Sequence, residues 1–384
     1  MWNNKVNEQK RAGNGMGKVS FFDWVTLAVL ALMVTSGGIA LAFFPAERMS
    51  VTENRLLAEA PAFSVEALAN GSYAAEWDTY ATERFPGRSA LRAVRATVEL
   101  AAGKGEVNGV ILGRDGSLLR RHTANLAVLE KNRRALARVE QQAATAGCPL
   151  TVAIAPRRID ACAAQLPAPY RTGREASLYA AVREALLTAL LLSGFEEGEW
   201  FRTDHHWQAA GAYRAYVALA AELGYEAHAL STFTPQTVSE SFLGTADAAA
   251  GIPGIVPDAI TLLRYEGDEA FSVKMEGKSA PFAGLYDMER LQTRDGYGVF
   301  LGGNYGTLTV DLGEGDQRPT LLLVKDSFAN ALIPFLARHY RIVAVDPRYG
   351  RPDMNTLLAE ADKALVLCGL QTLTESPFLA PLLR

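Results

Sequence analysis

The apolar and polar positions of this 384-residue chain fall into distinct regimes. From Trp24 to Phe44 no residue is charged. About 21 helical residues at 1.5 Å each span the roughly 30 Å hydrocarbon core of a bilayer. The pattern predicts a transmembrane helix over 21–44, preceded by an arm of residues 1–20. Helical periodicity from Ser64 to Thr82 and from Ser89 to Ala102 predicts a helical juxtamembrane region over 45–106. Val107 to Leu112, then Gly113-Arg114-Asp115-Gly116, then Ser117-Leu118-Leu119 read as a short β-hairpin, because Asp-Gly supplies the positive φ of such turns. Thr123 to Ala146 is a long amphipathic helix. Pro149–Ala155, Thr320–Val324, Arg341–Val345 and Lys363–Cys368 are unbroken apolar runs with helical segments in the gaps. Such runs are strands covered on both faces, so the fold class is α/β with a mostly parallel sheet and flanking helices. Residues 225–318 are instead rich in Gly, Thr, Phe and Tyr, and predict a β-rich antiparallel insertion into a sheet domain of residues 107–384.

Charge adds direction to this plan. The arm carries Lys5, Lys10, Arg11 and Lys18 against Glu8, an excess that stays on the cytoplasmic side and sends the rest of the chain outside. A cleaved signal peptide competes with the uncleaved anchor, since Ala40-Leu41-Ala42 fits a small-x-small cleavage site, although the apolar run is longer than a usual signal core. Either version exports the soluble region. With 49% hydrophobic and 21% charged residues the chain is neither a polytopic membrane protein nor disordered. A formal net charge of -4 gives no nucleic-acid footprint. Cys148, Cys162 and Cys368 allow at most one disulfide, with Cys148–Cys162 the pair expected, and no paired Cys-x-x-Cys metal spacing.

Candidate chemistry gathers at two places. Arg202-Thr203-Asp204-His205-His206-Trp207 holds two of the five histidines and leads into a helical segment ending at Leu223. Asp204 and His206 stand two apart, so in a turn the carboxylate can accept from one ring nitrogen and leave the other free as a general base. Two plainer readings stand beside this: Asp204 as a helix cap, and Asp204, His205 and His206 as metal ligands. No further His/Cys set at ligand spacing accompanies the second, and neither metal nor cofactor is invoked. The other place is Leu321-Leu322-Leu323-Val324-Lys325-Asp326-Ser327-Phe328-Ala329-Asn330, a buried strand ending in a polar turn that passes into a helix reaching Arg338. Ser327 then stands at the carboxyl edge of the sheet, where α/β proteins bind ligands. Its Oγ would attack an acyl carbonyl and its N–H would hold the oxyanion, with Asn330 a weaker helper. The alternative is an Asp-Ser cap. Arg348, after another core strand, could bind a carboxylate or sugar hydroxyl, or close its loop by an ion pair. Trp200, Trp207 and Tyr305 could stack on sugars or simply pack. His122, His228 and His339 are assigned nothing.

Asp204-His205-His206-Trp207 resembles the signature of the DHHW-motif proteins. Thr52-Glu53-Asn54-Arg55, Arg84-Phe85-Pro86-Gly87-Arg88, Asn108-Gly109-Val110-Ile111-Leu112-Gly113 and Lys325-Asp326-Ser327-Phe328-Ala329-Asn330 are also similar, in order along the chain. That family is similar to the alginate O-acetyltransferase accessory proteins and, more distantly, to SGNH hydrolases. The resemblance implies an SGNH-hydrolase-like fold in circularly permuted order, since Ser327 follows Asp204 and His206. It maps these three residues onto a catalytic triad. It also implies a membrane-bound O-acyltransferase partner and an exported polysaccharide that receives acetyl groups. An acetyl esterase and a non-catalytic glycan-binding scaffold are the competing functions.

Overall fold

The computed structural model describes residues 20–44, 48–50, 55–170 and 175–383; the arm before Ser20 and the Thr52-Glu53-Asn54 part of the first motif lie outside them. The chain divides into two compact units at Leu91/Arg92. In the first, α1 (Phe21–Phe43) opens on a reciprocal capping box in which Ser20 Oγ accepts from the Asp23 N–H and the Asp23 carboxylate accepts from the Ser20 N–H. No residue of α1 is buried, and by length and composition it is apolar enough to cross a membrane. The two-residue strands β1 (Met49–Ser50) and β2 (Arg55–Leu56) pair antiparallel. The two helical runs expected next are three helices, α2 (Val65–Asn70), α3 (Ser72–Arg84) and α4 (Arg88–Ala101). Gly71, at φ 81°, ends α2 in the left-handed conformation that glycine adopts without penalty.

The second unit takes in α4 from Arg92 and continues with a small meander, β3 (Glu106–Val107), β4 (Val110–Leu112) and β5 (Leu118–Arg120), whose second turn has Gly116 at φ 78° as expected. α5 (Leu126–Ala146) comes after it, capped by Asn125. Next come β6 (Leu150–Ala155), α6 (Arg158–Ala161), α7 (Glu175–Ala185), β7 (Leu190–Leu191) and α8 (Ala209–Leu223). β8 (Thr234–Phe242) and β9 (Asp258–Arg264) form an antiparallel pair that encloses α9 (Thr245–Ala250). β10 (Ser272–Met275), β11 (Phe282–Ala283), β12 (Thr307–Asp311), β13 (Thr320–Lys325), α10 (Ile333–Leu336), β14 (Arg341–Val345), α11 (Met354–Ala359), β15 (Lys363–Gly369) and α12 (Leu370–Glu375) complete it.

The main sheet runs β11-β10-β12-β14-β13-β15-β6-β7. Its core, β14, β13, β15, β6 and β7, is parallel and contains all four apolar runs. Alternate residues serve opposite faces. Leu321, Leu323, Leu365 and Leu367 enter one apolar cluster with α8, while Leu322, Val324, Val366 and Cys368 enter another with α5, α11 and α12. The strands of residues 225–318 pair antiparallel, in two places. β10, β11 and β12 extend the main sheet antiparallel, and β8–β9 alone of the 225–318 strands form a separate pair. β12 alternates half-buried and buried positions, which suits such an extension. The Cys148–Cys162 disulfide is overturned. All three thiols are free and buried, and Cys148 belongs to one face's cluster while Cys162 belongs to the other's.

Candidate active site

Asp204, His206 and Ser327 come together at the carboxyl edge of the parallel strands. Asp204 Oδ1 accepts from the His206 backbone N–H at 2.9 Å and from His206 Nδ1 at 2.6 Å. One turn of chain therefore sets both the fold of the segment and the pairing of the ring. With Nδ1–H donating to a carboxylate, Nε2 is the accepting nitrogen, and Ser327 Oγ lies 2.7 Å from it. Asp204 is not a helix cap: α8 starts at Ala209, with Gln208 at its cap position.

The acid is held from behind by residues that sequence reasoning missed. Asp204 Oδ2 accepts from Thr245 N–H at 2.6 Å and from Thr245 Oγ1 at 2.8 Å. Thr203 is fixed in turn by Asp258, whose carboxylate accepts from the Arg202 N–H, the Thr203 N–H and Thr203 Oγ1. Gly244 fits against the acid so closely that a β-carbon there would stand 2.3 Å from Asp204 Cβ and 2.4 Å from Oδ2. Burial pushes the Asp204 carboxyl up, yet the neighbouring His205 and His206 and the Thr245 bond hold it well below its ordinary value. It is therefore a carboxylate at neutral pH.

The turn that carries Ser327 is equally determined. Asp326 caps it, accepting from the Phe328 N–H at 3.0 Å and the Gly369 N–H at 2.8 Å. A 3-10 turn, Ser327–Ala331, and the four-residue α10 take the place of the longer helix expected. Ser327 is half-buried, while Asp326 and residues 328–331 are buried. Tyr297 stacks on the His206 ring, centroids 4.0 Å apart at 5°, and its hydroxyl donates to Ser327 O at 3.3 Å. Burial first, then Asp204 and Asp326, raise the Tyr297 pKa well above its ordinary value, so it stays a neutral donor.

The remaining candidates land differently from their expected roles. Asn330 is buried and engaged: its Oδ1 accepts from Lys325 Nζ at 2.6 Å and its Nδ2 donates to Asn304 Oδ1 at 3.2 Å, which removes it as an oxyanion donor. Asn304 Oδ1 also accepts from Lys325 Nζ, leaving the Asn304 Nδ2 as the amide donor not used in this cluster. Trp207 is fully buried, with its Nε1 donating to Phe328 O at 3.0 Å and its ring against Phe195 and Phe328. It packs under the serine turn and offers no face to a sugar; Trp200 is buried too. Arg348 makes a two-bond ion pair with Asp346, at 2.8 and 2.6 Å, so its fork closes its own loop.

Asp204, His205 and His206 do bring three ligand-type atoms within 4.8 Å of one another. Those atoms already have protein partners: His206 Nδ1 faces Asp204, His205 Nδ1 faces Thr245 Oγ1 at 2.7 Å, and both Asp204 oxygens accept hydrogen bonds. A cation would have to break this set, so the donors suit a hydrogen-bonded relay better than a metal.

Residues 175–346 match the family described as DHHW protein. Among curated proteins none matches the sequence. Among solved structures, a DHHW family protein from Eubacterium siraeum is similar at a TM-score of 0.58 and 20% identity, over 72% of this chain and 95% of that one. PatB1 of Bacillus cereus, in a structure with a sulfonyl adduct, is similar at 0.58 and 17% identity, over 70% of this chain and 98% of that one. The O-acetyltransferase domain of Pseudomonas putida AlgJ is similar at 0.42 and 16%, over 71% and 98%, a likeness too loose to build on. At these identities the first two likenesses show a shared fold. The expected α/β class with a mostly parallel sheet core stands, and the DHHW resemblance is matched over residues 175–346.

Proposed function

We propose that this chain, a DHHW-family protein by its match over residues 175–346, is an extracytoplasmic O-acetyltransferase acting through Ser327, His206 and Asp204. What supports this most is the continuous relay from Ser327 Oγ through both ring nitrogens to Asp204, at 2.7 and 2.6 Å. Ser327 Oγ bonds the acetyl carbon as its proton passes to His206 Nε2. The imidazolium then returns that proton to the leaving oxygen, and an acetyl-Ser327 ester remains. In the second half a sugar hydroxyl gives its proton to Nε2 while its oxygen takes the acetyl group, and Ser327 Oγ leaves reprotonated. Asp204 holds the tautomer and balances the transient positive ring. The Ser327 N–H serves the oxyanion, and Asn304 takes the place of Asn330 as the side-chain amide. Residues 107–384 form the catalytic domain, with 225–318 as its β-rich part. Residues 21–44 are the membrane anchor, a membrane-bound O-acyltransferase supplies the acetyl group, and an exported polysaccharide receives it.

The test combines two probes on the full chain. PatB1 with its sulfonyl adduct motivates the first: a sulfonyl fluoride, where Ser327 Oγ bonds sulfur, fluoride leaves and His206 takes the proton. Mass spectrometry is expected to find the adduct, and an acetyl group from p-nitrophenyl acetate, on Ser327 and not in Ser327→Ala. Failure of both to label Ser327 refutes the enzyme. With an oligosaccharide present, acetylated sugar supports transfer, whereas acetate alone identifies an esterase, since only the acceptor separates the two.

A further inference from the structure

The first unit carries a partly exposed aromatic stripe on α3 as well as the helix that is apolar enough to cross a bilayer. Tyr73, Trp77 and Tyr80 succeed one another at i, i+4 and i+7 along a single face of α3. Their rings, with Phe63 at one end, form a ladder of edge-to-face contacts with centroids 5.6, 6.4 and 5.3 Å apart. Trp77 is 39% exposed, and Phe63, Val65 and Leu68 nearby are 66%, 75% and 56% exposed. Of the acids of α3, Asp78 lies on the far side, while Glu76 and Glu83 border the stripe at i+3 from Tyr73 and Tyr80, at the edge where a polar headgroup would meet it.

Phe85 is the C-cap of α3, and its ring rests on α1 at Gly37, where a β-carbon would come within 3.2 Å of it. Gly37, Ala40 and Leu41 are accordingly half-buried on a helix otherwise open all round. Gly37 lies seven residues before Phe44, about 10 Å along a helix. Interfacial helices bury their apolar face about 5–10 Å below the headgroups, and Trp and Tyr concentrate at that level. We infer that α3 lies in the outer interface of the bilayer that α1 crosses, with its Tyr73-Trp77-Tyr80 stripe against phospholipid and Phe85 locking it to α1. The inference rests on α1 being a retained anchor. It adds that this anchor is part of a folded unit that grips the bilayer by an interfacial helix as well as by a span.

The test uses the full chain reconstituted into phosphatidylcholine vesicles, with the intact mass of the mature protein measured first. Tryptophan emission of wild type minus Trp77→Phe isolates Trp77, since the variant keeps an aromatic ring there. Lipid brominated high on the acyl chain should quench this difference emission strongly, and lipid brominated near the bilayer centre should quench it less. Phe85→Ser, which removes the contact at Gly37, should reduce the shallow quenching. A mature chain lacking α1 overturns the anchor and this inference together. A retained α1 with unquenched Trp77 overturns the inference alone.

Discussion

Gly244→Ala tests the construction of the site from its least conspicuous residue. Gly244 has φ −89°, a value alanine adopts freely, so the substitution has no backbone cost there. The whole perturbation is steric. The new methyl would stand 2.3 Å from Asp204 Cβ, 2.4 Å from Oδ2 and 2.7 Å from Cγ, whereas carbon atoms in contact sit about 3.5–4.0 Å apart. Asp204 or the 244–245 backbone must therefore give by about 1 Å. Either shift loosens the Thr245 bonds to Oδ2 and lengthens the 2.6 Å Asp204–His206 contact. Misplacing a catalytic group by that much costs on the order of 100-fold in rate, and overpacking costs about 1–3 kcal/mol of stability. The assay is p-nitrophenyl acetate turnover, with thermal unfolding to establish that the variant is folded. Gly198→Ala is the control, because a β-carbon at Gly198 has nothing within 4 Å. We expect Gly244→Ala to lose kcat with little change in KM, and Gly198→Ala to behave as wild type. A folded Gly244→Ala with kcat within about twofold of wild type would refute the argument that Asp204 positions His206.

Two further outcomes are expected. Burial lowers the Lys325 pKa from 10.5 to about 8. Between those values the folded lysine binds fewer protons than the unfolded one, so its contribution to stability rises with pH. The stability of wild type minus Lys325→Met should rise by about 2 kcal/mol from pH 8 to pH 10 in denaturant titrations, and a flat difference would contradict the buried ammonium. Trp207→Phe removes the bond to Phe328 O and opens a void beneath the serine turn, so it should cost about 1–3 kcal/mol of stability. Its KM for an oligosaccharide should hardly change, and a raised KM at unchanged stability would restore the sugar-stacking role.

Much of the framework was legible because its signals are local. The stretches Val152–Ala155, Leu321–Val324, Ile342–Val345 and Ala364–Cys368 are apolar at every position, as strands covered on both faces need. Asp204 and His206 are two residues apart, so a single turn joins them wherever the rest of the chain goes. Ser327 comes directly after a core strand, which sets it at the sheet's carboxyl edge before any packing is known. What the residues by themselves did not decide were matters of long-range partnership. Thr245 and Asp258 are common polar residues with no local mark of function, yet one holds Asp204 and the other holds Thr203 from positions 41 and 55 residues away. The edge pairing of β10 and β12 and the separation of Cys148 from Cys162 depend on which strand and which sheet face each segment reaches. The work of Asn330, Arg348 and Trp207 turned on which neighbour reached their polar atoms first: Lys325 and Asn304, Asp346, and Phe328 O. Local pattern determines which elements form and what chemistry they can carry. Only the packed chain decides which donors and acceptors remain free, because a buried polar group must take whatever partner the tertiary fold brings within hydrogen-bonding distance.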